Sequence, residues 1–80
     1  MGDTGKRLAG CFQVVFPDLR EAEIPSASQQ TVAAWDSVAA ITMMTVIEDE
    51  FGLEMDLDDL ADLDSFEKVH AYLQKRLQVA

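Results

Sequence analysis

Apolar residues recur along the chain at helical spacing and predict an all-α protein. The first predicted helix ends before Pro17, because proline cannot continue a helix. Its apolar face is formed by Leu8, Cys11, Phe12 and Val15. No segment shows the strict alternation of apolar and polar residues that a half-buried strand needs.

A long connection, residues 17–35, precedes the second predicted helix. Connections of this length are uncommon in a small domain and are often functional. Asp36 is a suitable N-cap for the second helix, and Gly52 a suitable stop. The helical wheel places Met43 at the edge of the buried face and points these residues inward: Ile41, Met44, Ile47 and Phe51.

The last third of the chain predicts one short and one longer helix. Leucines spaced by three between residues 55 and 63 predict one or two helical turns. Asp64 and Glu67 have the spacing of a capping box for the last helix. The predicted buried face of that helix is Phe66, Val69, Leu73 and Leu77. We therefore expect a four-helix bundle, with three main helices and a short third one, as a single domain over residues 1–80.

The distribution of charge says more about possible partners than the overall composition does. The chain has 15 acidic and 6 basic residues and a net charge of −9. Eleven of the acids lie between residues 36 and 67, where there is no lysine or arginine. Such a surface repels nucleic acid and anionic membranes and favours partners with basic patches. No apolar run approaches the length of a membrane span, so we expect a cytoplasmic monomer.

The residues of the chain give little support to a metal site or to a catalytic nucleophile. A structural zinc site needs four Cys or His ligands, and the chain has one of each, Cys11 and His70. We predict no metal site. We expect Cys11 to be an inert core residue and His70 to be structural. A serine hydrolase would have to rely on His70 as its only histidine, which makes that class a poor fit.

Ser37 carries the most informative local chemistry. It follows the predicted cap Asp36 and lies in the first turn of the second helix, at the positive end of the helix dipole. Free backbone N–H groups at this position suit a phosphate oxygen. From local chemistry alone, two interpretations stay open: Asp36 and Ser37 only cap the helix, or Ser37 bears a phosphodiester.

The residues that follow Ser37 bear on the choice between these two interpretations. The string Asp-Ser-Val-x-x-Ile-x-Met-Met-x-x-Ile-Glu-x-x-Phe-Gly, residues 36–52, resembles the acyl carrier protein family. The resemblance continues at the level of pattern through the acidic third-helix region and the last helix. The chain departs from the family pattern just before this string: Trp35 stands before the Asp-Ser pair, with Ala34 where glycine is common. This start is more similar to that of some specialised carriers than to that of the common fatty-acid carrier.

The resemblance implies a specific role for each of these two residues. Ser37 would be the attachment point of 4′-phosphopantetheine, added by a separate phosphopantetheinyl transferase, and Asp36 would help that transferase recognise the carrier. The arm would carry acyl or aminoacyl thioesters between enzymes of fatty-acid-like, polyketide or other specialised biosynthesis. The chain itself would be non-catalytic.

Four further residues of the second helix are candidate partner-binding positions. The helical wheel points Val38, Val46 and Asp49 outward, and Val38 and Val46 are apolar residues that we expect to be exposed. The acids of this helix cluster late, and Glu48 and Asp49 are the two that we assign to partner binding. The alternative function is an acidic helical adaptor that is never modified.

Overall fold

Four α-helices and one 3₁₀ helix make up the computed structural model, which describes residues 3–78. The helices are α1 (Asp3–Val15), a 3₁₀ helix (Glu21–Ser26), α2 (Ser37–Phe51), α3 (Leu57–Leu60) and α4 (Phe66–Gln78). The expected all-α bundle with a short third helix is confirmed, and residues 3–78 contain no strand. None of the helices described is both long and apolar enough to cross a bilayer. Residues 1, 2, 79 and 80 of the predicted domain lie outside the described range, and its single-domain extent stays a prediction.

An aromatic cluster centred on α1 holds the bundle together. The ring of Phe12 lies 5.1 Å from that of Phe66 on α4 and 5.4 Å from that of Trp35, both in edge-to-face geometry. Phe16 closes the cluster at 6.2 Å from Phe12. Edge-to-face pairs add about 0.5–1.5 kcal/mol to the energy of burial. The cluster therefore ties α1, α4 and the residue before α2 into one core.

The connection between α1 and α2 is more ordered than its polar sequence predicts. Its 3₁₀ helix buries Ile24 completely, a contribution to the core that periodicity did not reveal. Two backbone hydrogen bonds then join the connection to the start of α4. The N–H of Phe66 donates to the carbonyl of Ala27, and that of Gln29 donates to the carbonyl of Asp64, each at 2.9 Å. The middle of this connection is thus held in place before the chain reaches α2.

The buried face of α2 is rotated from the predicted one. Met43 is only 3% exposed and Ala40 is also buried, whereas Ile41, predicted to point inward, is 49% exposed. Ile47 is buried as predicted, and Met44 is half-buried. Uncharged residues surround most of the first three turns of α2, so hydrophobicity alone does not define which side faces the core.

The predicted capping box of α4 is wrong by one residue. The hydroxyl of Ser65 accepts a hydrogen bond from the N–H of Lys68 at 3.2 Å, so Ser65 is the cap. Asp64 instead forms an ion pair with the Lys68 ammonium at 2.9 Å, which lowers the pKa of its carboxyl. Near the other end of α4, Leu77 is 43% exposed and not buried as predicted, because the buried core among the described residues reaches along α4 only as far as Leu73.

Polar contacts with α4 hold the short helix α3 in place. The hydroxyl of Tyr72 donates to the carboxylate of Asp59 at 3.1 Å, and the guanidinium of Arg76 donates to the carbonyl of Glu54 at 2.7 Å. A single helical turn is not stable alone. Moreover, none of the residues of α3 is buried. We conclude that α3 depends on this tether and on its packing against α2.

Candidate functional site

Ser37 occupies the first position of α2, directly after an observed N-cap. The carboxylate of Asp36 accepts a hydrogen bond from the N–H of Ala39 at 2.8 Å, and the carbonyl of Asp36 accepts from Ala40 at 2.9 Å. The backbone of Asp36 is extended, with φ −107° and ψ −171°, as an N-cap requires. Both the predicted cap and the predicted start of the helix are therefore confirmed.

The Ser37 hydroxyl is accessible and uncommitted. The side chain is exposed, and its hydroxyl makes no hydrogen bond to any residue in the range 3–78. The N–H groups of Ser37 and Val38 also lack partners there, since the first helical bond is donated by Ala40. Two unpaired N–H groups at the positive end of a helix favour an oxyanion bound beside the hydroxyl.

A shallow groove of about 270 Å³ begins at Ser37 and runs between α2 and α3. Ile41 and Leu57 form its exposed apolar sides, and these side chains are 49% and 63% exposed. Neither of them was singled out by sequence reasoning as a functional residue. The exposed side chain of Val38, 72% accessible, extends the apolar surface on the other side of Ser37. Apart from Asp36, which is itself exposed, the side chains named around the serine are uncharged.

The other candidate residues of α2 lie in different environments. The expectation that Val46 is exposed is wrong: it is half-buried and packs against the core in a second groove, between α1 and α2. Asp49 is exposed at the rim of this groove, as predicted. Glu48 is half-buried, and its carboxylate accepts a hydrogen bond from the N–H of Met55 at 2.9 Å. Glu48 therefore stabilises the turn after α2, independently of any role in partner binding.

The helix ends at Gly52, which adopts the left-handed conformation, with φ 63° and ψ 38°. A residue with a β-carbon is strained there, so glycine is the natural stop. Beside this end, the Arg7 guanidinium pairs with the Glu50 carboxylate at 2.7 Å and lies 4.6 Å from the centre of the Phe51 ring. These contacts join α1 to the end of α2 that is distant from Ser37.

Cys11 and His70 lie away from the exposed surface around Ser37. Cys11 is 3% exposed, and burial raises the pKa of its thiol to about 11, so it stays protonated at neutral pH. His70 is half-buried on α4, with its ring 5.8 Å from that of Phe66. Within the described range, no cluster of three or more His, Cys, Asp or Glu side chains is arranged to hold a metal ion.

Comparison with known families gives one match. Residues 35–73 match the family model described as a phosphopantetheine attachment site. The matched segment is therefore similar to carriers of the acyl carrier protein type. Neither the curated proteins nor the solved structures gave a significant match to the chain.

The residues at the start of α2 fit the group that such carriers hold. This family attaches 4′-phosphopantetheine covalently to a serine. A phosphodiester at Ser37 would lie next to the unpaired N–H groups of the first turn, and the pantetheine chain could follow the apolar groove beside it. The matched segment thus offers an accessible hydroxyl, two unpaired N–H groups beside it and an apolar groove that starts at the serine.

Proposed function

We propose that the chain carries acyl or aminoacyl groups as thioesters on a 4′-phosphopantetheine arm attached to Ser37. The matched carrier segment contains two serines, Ser37 and Ser65, and each follows an aspartate. The accessibility of the hydroxyls favours Ser37. The Ser65 side chain is half-buried and its hydroxyl caps α4, whereas the Ser37 hydroxyl is exposed and has no partner within residues 3–78.

The attachment step requires an external enzyme. The Ser37 hydroxyl oxygen would form a bond to phosphorus of coenzyme A, the phosphoanhydride would break, and the nucleotide half would leave. The hydroxyl proton would pass to a base of the transferase, because the chain's single histidine, His70, packs against Phe66 on α4. Carriers of this family are non-catalytic. We extend that role to this chain, with Ser37 as an attachment point.

Partner binding would use the surface around Ser37. We propose that Asp36 and Val38 contact the transferase, since both are exposed next to the modified hydroxyl. Asp49 would contribute to partner binding at the far end of α2. Glu48 and Val46 would contribute through the parts of their side chains that their internal contacts leave exposed. Acyl-loading and acyl-transferring enzymes with basic patches would be steered by the charge of −9. We place the protein in the cytoplasm as a monomer, in fatty-acid-like, polyketide or other specialised biosynthesis.

The decisive experiment is an intact-mass measurement after incubation with coenzyme A and a broad-specificity phosphopantetheinyl transferase. We expect a gain of one phosphopantetheine in the wild type and in Ser65→Ala, and no gain in Ser37→Ala. Circular dichroism should show that all three proteins are equally helical. A gain that persists in Ser37→Ala and disappears in Ser65→Ala would overturn the assignment of Ser37.

The alternative function, an unmodified acidic adaptor, predicts a different result. A folded wild-type protein would gain no mass with two unrelated transferases, and Ser37→Ala would leave its binding to partners unchanged. That outcome would contradict the carrier proposal as a whole.

A further inference from the structure

The groove between α1 and α2 is an open concavity that the site at Ser37 does not use. Its volume is about 680 Å³, compared with about 270 Å³ for the groove at Ser37, and the two grooves share no lining residue. Val46, which lines the α1–α2 groove, is nine residues beyond Ser37, or about 14 Å along the helix. A partner in this groove would therefore leave the surface around Ser37 uncovered.

Two valines form the apolar sides of the α1–α2 groove. Val14 on α1 is 69% exposed, and Val46 on α2 is half-buried. Gly10, one turn before Val14, lowers the α1 side, because a β-carbon built there would meet no atom within 4 Å. Val14 is thus an exposed apolar side chain, next to open space, that the site at Ser37 does not explain.

The arrangement of the two helices suits a third helix. The Arg7–Glu50 ion pair joins the first half of α1 to the end of α2, and Phe12 packs on Trp35 just before α2, so the two helices run antiparallel. Helices associate by seating rows of side chains in the grooves of a neighbour, with axes about 8–10 Å apart. The missing side chain at Gly10 permits such a close approach. An incoming helix would therefore seat its apolar side chains between α1 and α2.

The charges beside the groove determine the chemistry of that helix. Within the groove, Arg7 and Glu50 pair with each other, and Asp49 has no ion-pair partner in residues 3–78. Asp49 also lines the next concavity, where the other charged side chains are Glu48 and Glu54 and none is basic. A helix seated in the groove would therefore face carboxylates along its α2 side. Electrostatic complementarity requires basic residues on that side of the partner.

We propose that the α1–α2 groove binds an amphipathic helix of a partner enzyme. The apolar face of that helix would pack against Val14 and Val46, and its lysine or arginine residues would lie beside Asp49. It would anchor the carrier while the surface around Ser37 stays free for the enzyme that acts on the arm. Docking depends on the groove alone, whereas the anchoring role rests on the proposed attachment at Ser37.

The test uses a synthetic probe and valine methyl groups as reporters. The probe is a helical peptide of leucine and lysine, about four turns long, with its leucines on one face. Its matched control has glutamate in place of lysine and should bind at least about tenfold more weakly. We expect the lysine peptide to shift the methyl signals of Val14 and Val46 and to leave those of Val38, beside Ser37, unchanged. If the lysine peptide does not bind, shifts Val38 instead, or binds no better than its control, the proposal is wrong.

Gly10→Leu separates a loss of binding from a loss of folding. Leucine is a better helix former than glycine, and its β-carbon has open space, so this variant should melt about 4–8 °C above the wild type. Its side chain would nevertheless occupy the groove, and we expect the affinity for the lysine peptide to fall about tenfold. Gln13→Leu is the matched control, since Gln13 is exposed on α1 and does not line the groove. It should bind the peptide as the wild type does, and equal affinities of all three proteins would overturn the assignment of the groove.

The anchoring role is tested by modifying Ser37 in the presence of the lysine peptide. We compare the rates of phosphopantetheine addition with and without saturating peptide, and expect the same ratio in the wild type and in Gly10→Leu. The variant corrects for peptide that binds to the transferase itself. A lower ratio in the wild type would show that the docked helix covers Ser37, and the anchoring role would be wrong. If no mass is gained even without peptide, the proposed function fails, while the valine signals still test docking.

Discussion

Asp36 has two proposed roles that different substitutions can separate. Its carboxylate caps α2 through the hydrogen bond from the Ala39 N–H at 2.8 Å, and its charge is proposed to be recognised by the transferase. Replacement of a capping Asp by Ala costs about 1 kcal/mol, within a range of about 0.5–2 kcal/mol. For a domain of this size, about 1 kcal/mol lowers the melting temperature by about 4–8 °C. We therefore expect a loss of this size for Asp36→Ala.

Asp36→Asn provides the matched comparison, because asparagine caps helices about as well as aspartate does. It gives up the favourable interaction of a full negative charge with the helix dipole, which is worth about 0.3–1 kcal/mol. We expect its stability to lie between those of the wild type and Asp36→Ala, while its rate of modification falls as far as that of Asp36→Ala. Urea titration measures stability, and kcat/KM for the transferase measures recognition.

Two results would refute this reasoning about Asp36. If Asp36→Ala unfolds at the same urea concentration as the wild type, the cap does not stabilise α2. If Asp36→Asn is modified as efficiently as the wild type, the charge is not recognised, and only the position of Ser37 at the start of the helix matters.

Three further predictions follow from the charge and the polar contacts. Because burial raises the pKa of Cys11 from 9.0 to about 11, its protonated form stabilises the fold fully below about pH 9. We expect on the order of 2 kcal/mol to be lost as the pH rises toward 11. Cys11→Ala should flatten this decline in urea titrations, and an equal decline would contradict it. Tyr72→Phe removes the hydrogen bond to Asp59, so the amides of α3 should exchange roughly fivefold faster, as one hydrogen bond of about 1 kcal/mol implies. Unchanged exchange there would show that this bond does not restrain α3. Finally, the net charge of −9 predicts that magnesium or moderate salt raises the melting temperature, and no rise would count against it.

The sequence predicts local features well where one residue determines the backbone. Pro17 follows soon after the end of α1, Asp36 caps α2, and Gly52 adopts the left-handed conformation that ends α2. Each of these outcomes depends on the chemistry of the residue itself, with little influence from its tertiary neighbours. The position of Ser37 in the first turn follows from them, which is why the candidate site could be placed from sequence.

Features that depend on packing were harder to predict from the sequence. Met43 is buried and Ile41 is exposed because the neighbours of α2 choose one side of a helix that is apolar nearly all round. Val46 is half-buried because α1 packs beside it. The burial of Ile24 arises in the same way, from a 3₁₀ turn within a polar connection that shows no helical period. Hydrophobicity identifies the segments that pack, and the partner helices decide how each one is oriented.

The structure also explains how an acidic protein can present apolar surface beside Ser37. Residues 37–47 contain no charged side chain, so the acids of α2 begin three turns away from Ser37. Two of those acids have internal contacts: Glu48 accepts from the Met55 N–H, and Glu50 pairs with Arg7. Only Asp49 remains without such a contact among the three. Long-range attraction of basic partners therefore arises from the overall charge, whereas close contact at Ser37 would involve apolar side chains together with the single carboxylate of Asp36. Salt should then slow the encounter with a partner more than it weakens the final contact, since the encounter depends on the whole charge and the contact on the single charge of Asp36.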